Sequence, residues 1–316
     1  VNLDNALDYV EFVEERHRIW ERRQAGEPGP WTTHPILASR KFTNVFRVLD
    51  YGSQFLLREL LEPELSERDT LMRCFLYRHT GRPESWEYLG LSVGYPTVAD
   101  LEDVRAAWHV YRGGFKEGGR GSGARFQAKT GGVRVFDNPM FTSAYLVFPQ
   151  SATPGTDKLD SIIDLTKRLF TPGSPEDIVP EFLAASSQRA RFAVLRRNKG
   201  VGDFMSMQVL TDWGYSSHCP TYREDEFVTL GPGAVRGAAA LGAGIETAVD
   251  LVRSSVGCPQ LAGRPPSYMD IQNTLCEFSK WVRYRDKTGP GEPYVPAHPG
   301  KQPEPALPVN YERIDR

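Results

Sequence analysis

Cysteine is scarce in this chain of 316 residues: there are four, Cys74, Cys219, Cys258 and Cys276, and no two form a C-x-x-C pair. That spacing argues against a disulfide frame and against a four-thiolate iron–sulfur cluster, and suits free thiols in a reducing compartment. His218-Cys219 is the one His/Cys neighbour pair, and no second pair supplies the remaining ligands of a zinc site. No metal and no cofactor is therefore expected. Long apolar runs are also missing, so no membrane-spanning segment is expected. The opening Val1-Asn2-Leu3-Asp4 has neither a basic n-region nor an apolar h-region, which predicts an intracellular protein without a signal peptide. An excess of either charge is absent too: 38 Lys and Arg stand against 40 Asp and Glu, a net charge of −2. Any nucleic-acid contact must then come from a local basic patch rather than from a global field.

What is present is ordinary globular material, 40% hydrophobic and 25% charged. Helical periodicity predicts helices over residues 1–24, 36–61 (with a break near Thr43-Asn44), 71–77, 98–111, 158–170, 175–185, 200–213, 234–241, 244–256 and 267–286. Gly113 to Gly132 reads as a Gly-rich loop ending in a short hairpin, with a small β element near 125–148. Strand patterns are otherwise scarce and no repeat of fixed period occurs. The expected fold is mainly α and two-lobed, with residues 1–288 as the helical catalytic domain. Residues 289–316 form a Pro-rich tail that either wraps the body or stays disordered.

Four stretches carry chemistry. In Gly231-Pro232-Gly233-Ala234-Val235-Arg236-Gly237, two glycines around a proline predict a tight hairpin before a helix. There, backbone N–H groups can approach a phosphate with no Cβ in the way; an ordinary interhelical turn uses the same residues. In Arg40–Asp50, a helix would align Lys41, Asn44 and Arg47 opposite a buried stripe of Phe42, Val45, Phe46 and Leu49. This is either a phosphate- and base-binding face or a solvated charged one. On the helix after Ser267, Asp270, Asn273, Glu277 and Lys280 share one face. Such a face is either a working site or a surface ion-pair ladder. Finally, Gln208 and Asp212 stand one turn apart on a helix entered through Gly200 and Gly202, where an amide can read a base edge; helix packing with a polar edge is the alternative.

Taken in order, these stretches form an array: Arg40-Lys41-Phe42-x-Asn44-Val45-Phe46-Arg47-x-x-Asp50, Ala144-Tyr145, Gly202-x-Phe204-x-x-x-Gln208-x-x-x-Asp212, Gly231-Pro232-Gly233-Ala234-x-x-Gly237, and Asp270-x-x-Asn273-x-x-Cys276-Glu277-x-x-Lys280-x-x-Arg283. The array resembles the helical domain shared by 5-hydroxymethyluracil DNA kinases and the α-glutamyl/putrescinyl-thymine pyrophosphorylases, or amino acid:DNA transferases, over roughly residues 12–287. The resemblance implies a helix-hairpin-helix, DNA glycosylase-like fold acting in thymine hypermodification. No G-x-x-x-x-G-K-[ST] string occurs, and the Gly-rich loop at 113–123 continues into Ala124-Arg125. The transferase branch is therefore preferred over a P-loop kinase.

On that resemblance, a phosphorylated or pyrophosphorylated 5-hydroxymethyluracil flips from DNA into a cleft, and an amine or amino acid replaces the phosphate. Arg40, Lys41, Arg47 and Arg283, with Lys280, would hold phosphate; Gly231, Gly233 and Gly237 would hold the DNA backbone. Asp270 or Glu277 would take the proton from the amine, while Asn44, Gln208, Asp212 or Asn273 would line the base site. The partners expected are modified DNA and a small amine. Two rivals are a DNA glycosylase using Asp270, and a non-catalytic module that only recognises modified DNA.

Overall fold

The computed structural model describes residues 1–113, 124–127, 133–136, 139–142, 157–286, 302–309 and 311. Among them, thirteen α-helices and one two-stranded antiparallel hairpin make the fold mainly α. The hairpin pairs β1 (Ala124–Gln127) with β2 (Val133–Phe136). Ala144-Tyr145 and most of the Gly-rich loop lie outside the described residues. No helix among those described is long and apolar enough to cross a membrane. The chain divides into two compact units, residues 1–54 with 221–316, and residues 55–220.

The unit of residues 55–220 is built around two helices buried on nearly every side, α4 (Glu67–Thr80) and α10 (Asp203–Gly214). A helix enclosed all round has no polar stripe to lead to solvent, so its charged side chains must find partners inside. Arg78 and Asp212 do so, with Nη2 of Arg78 donating to Oδ1 of Asp212 at 2.7 Å and Nε donating to the other oxygen. Around them lie α5 (Pro83–Ser92), α6 (Leu101–Gly113), α7 (Lys158–Phe170), α8 (Val179–Ala184) and α9 (Gln188–Arg196). The periodicity predicts α7 to the residue, but α5 and α9 are not foreseen. α9 turns into α10 through Arg197-Asn198-Lys199-Gly200-Val201-Gly202, with Gly200 at φ 98° and Gly202 as the N-cap.

The other unit holds α1 (Leu3–Gln24), α2 (Pro35–Ser39), α11 (Pro232–Leu241), α12 (Ile245–Arg253) and α13 (Tyr268–Arg285). α3 (Tyr51–Phe55) sits at its boundary and runs into a π-helical turn over Leu56–Leu60. Tyr9, Phe12, Phe42, Phe278 and Trp281 form its aromatic core, and Tyr9 Oη meets Thr274 Oγ1 at 2.7 Å. The tail wraps this unit where it is described. Gln54 reads Ala306 like a neighbouring strand, donating to its carbonyl at 2.9 Å and accepting from its N–H at 2.8 Å. Tyr311 is buried under the Arg264 guanidinium, 4.4 Å away.

Two sequence expectations fail here. The Arg40–Asp50 stretch is not a helix: Arg40 is extended, and only Arg47–Leu49 makes a 3-10 turn. Its apolar residues Phe42, Val45, Phe46, Val48 and Leu49 are nevertheless buried. Spacing that suits a helical stripe can equally place side chains inward from an irregular segment held by side-chain bonds. Nor is Gly231-Pro232-Gly233 a turn between two helices. Irregular chain precedes it, Gly231 is the N-cap of α11, and Pro232 takes the first helical position, where its missing N–H matters least. The tight interhelical turn in this unit is Gly242-Ala243-Gly244, between α11 and α12, with Gly242 at φ 66°.

Gly233 and Gly237 serve packing. A Cβ on Gly237 would overlap the Leu275 carbonyl, and one on Gly233 the Cys276 sulfur. α11 and α13 thus approach so closely that only hydrogen fits between them at these positions. Alanine gains about 1 kcal/mol over glycine in a helix, whereas overpacking costs about 1–3 kcal/mol. Gly237→Ala meets main chain that cannot yield, so its denaturant midpoint is expected to fall by the larger amount. Gly233→Ala is expected to be rescued by Cys276→Ala, which removes the sulfur in the way, while the same Cys276→Ala leaves Gly237→Ala unrescued. Equal behaviour of the two pairs in urea titrations would refute this packing account.

Candidate active site in the unit of residues 1–54 and 221–316

α13 begins with a capping box. Ser267 N and Oγ donate to Asp270 Oδ2 at 2.9 and 2.8 Å, and Asp270 N donates back to Ser267 Oγ at 3.1 Å. The other carboxylate oxygen accepts the Arg47 backbone N–H at 2.8 Å. Arg264 Nη2 stands 3.7 Å from Asp270 and pairs with Glu224. Asp270 and Glu224 are each 1% exposed. Burial pushes the Asp270 carboxyl up, and the negative Glu224 pushes it further, against the pull of Arg264. Burial works against the charge of Arg264 as well, but Glu224 beside it keeps the guanidinium firmly protonated. Asp225 completes this end of the unit by accepting from Tyr268 N at 2.6 Å and from Arg253 Nη2 at 2.8 Å.

Further along α13 the face opens. Asn273 Nδ2 donates to the Asn44 carbonyl at 3.0 Å and to Thr43 Oγ1 at 3.1 Å. Glu277 Oε2 accepts from Thr43 N at 3.0 Å and from Lys280 Nζ at 2.7 Å. Lys280 Nζ lies 4.8 Å over the Phe42 ring, and Arg40 lies 5.1 Å over Tyr284. The irregular 40–50 segment is thus clipped onto α13 side chain by side chain. Asn44 organises that segment: its N–H donates to Asp50 Oδ1 at 2.9 Å, its Nδ2 to the Leu49 carbonyl at 2.7 Å, and its Oδ1 accepts from Arg16 Nη2 at 2.7 Å. Arg16 also donates to the Thr43 carbonyl at 2.8 Å.

The residues singled out from the sequence therefore divide. Asn44, Asp270, Asn273, Glu277 and Lys280 come together with Arg40 and Arg47. Arg47 is buried, so it contributes its backbone N–H rather than an exposed phosphate clamp. Lys41 is exposed, and Arg283 and Arg236 reach the surface around Cys276. Burial pushes the Cys276 thiol above its ordinary range, so this sulfur packs rather than reacts. Gln208 and Asp212 lie in the other unit, where Asp212 is fully buried against Arg78. Glu224, Asp225, Arg264 and Arg16 were not foreseen. The run Glu224-Asp225-Glu226 was the available signal, but acidic runs ordinarily face water, and nothing in the sequence marks one carboxylate as buried.

One trio among the described residues, His109, Asp157 and Asp160, brings ligand atoms within 4.8 Å of one another. Arg105 and Arg112 already pair with these carboxylates, which leaves them little charge to offer a cation. Cys219 accepts from Arg191 Nη1 at 3.5 Å.

Asp50 supplies a pH signature. Burial raises its carboxyl from 3.8 to about 7, with Asn44 N–H, Arg47 and Arg16 pulling down and Glu277 pushing up. A carboxyl whose folded pKa is raised holds its proton in the native state while the unfolded chain has lost it. Between about pH 4 and pH 7 this group therefore withdraws stability as pH rises, and above about pH 7 its effect is constant. Asp50→Asn keeps the acceptor oxygen but not the titration. Its stability relative to the natural protein is expected to improve steadily from pH 4.5 to 7, then level off, in denaturant titrations at stepped pH. A difference independent of pH would show that Asp50 is not held protonated.

The comparisons with known proteins agree with this architecture. The family model described as "5-hmdU DNA kinase, helical domain" matches residues 4–113 and 133–289. A 5-hmdU DNA kinase of Bacillus phage SP10 is 25% identical over an alignment of 256 residues that covers 72% of this chain and 34% of the phage protein. The chain thus spans about a third of that relative's length. No solved structure matches it significantly. With more than half of its residues matched by the family model, the chain belongs to the 5-hmdU DNA kinase helical-domain family.

Proposed function

We propose that this chain handles 5-hydroxymethyluracil derivatives in DNA, and that it replaces the phosphate or pyrophosphate group of the modified base by an amine or amino acid. The observation that carries this reading is the setting of Glu277. It is a carboxylate toward the open end of the α13 face, with one oxygen bound to Thr43 N and Lys280 and the other, Oε1, without a hydrogen bond among the described residues. Lys280 and Arg283 on α13, Arg40 and Lys41 on the segment clipped to it, and Arg236 on the neighbouring α11 offer charge for a leaving phosphate. The family's name supports the base. The α11–α12 pair with its Gly-x-Gly turn favours a helix-hairpin-helix reading of this unit.

In this mechanism the modified base leaves the duplex stack. The amine nitrogen attacks the exocyclic methylene carbon, the C–O bond to the phosphate group breaks, and the oxygen departs with its electron pair onto the phosphate. Lys280 and Arg283 stabilise the departing charge. Glu277 accepts the proton that the nitrogen loses. Asp270 is assigned a positioning role, because it is buried and its oxygens are engaged by Ser267, Arg47 and Arg264. Asn273 is the amide left nearest Glu277 for contact with the base, being one turn away on the same face.

Duplex DNA carrying 5-(pyrophosphoryloxymethyl)uracil, incubated with a mixture of amines and digested to nucleosides, is expected to yield an aminomethyl adduct by mass spectrometry. Free base with abasic DNA would instead make the chain a glycosylase. Phosphorylation of hydroxymethyl DNA by ATP, without an adduct, would make it a kinase. Glu277→Gln is expected to lower adduct formation about 10²–10⁴-fold with DNA affinity retained. Asp270→Asn is expected to lower the melting temperature first, and any loss of rate should track the loss of folded protein.

A further inference from the structure

The unit of residues 55–220 carries a concentration of positive charge that the chemistry above does not use. Residues 188–203 contain five cations, Arg189, Arg191, Arg196, Arg197 and Lys199, and one carboxylate, Asp203, for a local net charge of +4 in a chain whose total is −2. The structure gathers most of them at the α9–α10 turn. Arg189 and Arg191 are the exceptions: Arg189 sits in the first turn of α9, at its far end, and Arg191 lies 5.0 Å over the Trp213 ring and belongs to the packing. Arg196 and Arg197 have side chains 51% and 53% exposed, and Lys199 is exposed between them and Gly200.

Among the described residues, the carboxylates paired to these guanidiniums are Asp203, with Arg196, and Glu181, with Arg197. Both are themselves exposed, and ion pairs of that kind hold weakly enough for a phosphate to exchange into them. The turn is also sterically open. A Cβ on Gly202 would meet nothing within 4 Å, and the first turn of α10 has no side-chain cap on its N–H groups. Val201 is buried, so the turn offers no apolar side chain for a lipid surface to take up. Charge without apolar area fits a sugar–phosphate backbone.

We propose that the α9–α10 turn, through Arg196, Arg197 and Lys199, docks on the backbone of duplex DNA outside the modified base, independently of the cations around Glu277. The inference rests on the reading that this chain acts on DNA, and it adds a second, sequence-neutral contact in the other unit. Cations that neutralise phosphates release condensed counterions, so their number can be read from the salt dependence of binding.

The test compares the full chain with Arg197→Gln/Lys199→Gln, with Arg236→Gln/Arg283→Gln, and with Lys167→Gln/Arg168→Gln on α7 as a control of equal charge loss. Binding to an unmodified 20-base-pair duplex is measured by fluorescence anisotropy from low to moderate salt. The turn variant is expected to lower the log–log salt slope by about two and the affinity at fixed salt by about tenfold or more, while the α7 control changes neither. A turn variant that behaves like the α7 control overturns the inference. If at the same time the Arg236/Arg283 variant loses affinity, the DNA reading stands without it. A natural chain with no salt-dependent DNA affinity overturns both.

Discussion

A carboxylate removed from water must have its oxygens satisfied, and at Asp270 that requirement ties together stretches of chain far apart in sequence. One oxygen caps α13 through Ser267, and the other holds the backbone of Arg47. The guanidinium of Arg264 then joins this carboxylate to Glu224, and the Tyr311 ring closes over the guanidinium from the C-terminal segment. Breaking such a buried arrangement by removing one partner costs about 3–5 kcal/mol, because it leaves uncompensated charge behind. The irregular 40–50 segment has no helical ladder of its own to hold it. Its position depends on Asp270 at one end and on Asn273 and Glu277 at the other.

A second constraint acts on the same helix from its opposite side. Gly233 and Gly237 bring α11 against α13 at a distance no side chain permits, so the cations on α11 and α13 are presented by two helices that cannot drift apart. Arg236 and Arg283 both stand close enough to Cys276 to influence its thiol. The sequence invites a different use of these glycines, as a cradle for phosphate. Both readings need a residue without Cβ, and only the identity of the neighbour, another helix or a ligand, separates them. The neighbour is a tertiary fact that a local pattern does not contain.

Much of the architecture was legible for a plain reason. Helices such as α7 and α13 bury one face, so their apolar spacing repeats and their ends carry caps. α9 was missed because its many arginines hide a short apolar stripe, and with it went the turn that leads into α10. The 40–50 segment was misread in its backbone but not in its burial, since the same apolar residues point inward either way. The carboxylate face of α13 was legible as a face. What periodicity could not tell was that Asp270 is enclosed while Glu277 stands at the rim. That difference comes from residues 224 and 264, more than forty positions from the face in one case and outside α13 in both.

This division of labour between two carboxylates on one helix bears on how the unit could perform chemistry at all. A proton acceptor has to exchange protons with what enters the site, so it needs a free oxygen and access. A structural carboxylate needs the reverse, with every oxygen engaged. Asp270 meets the second description through Ser267, Arg47 and Arg264, and the proposed mechanism assigns the first to Glu277, two helical turns away, whose side chain is 14% exposed. Their separation along α13 allows both conditions to hold together, because the helix that the buried group fixes is the one that carries the accessible group. A single carboxylate at either position would have to sacrifice rigidity or reactivity. The rigid positioning of α13 by Asp270 is what would hold Glu277, Asn273 and Lys280 in fixed relation to a bound base.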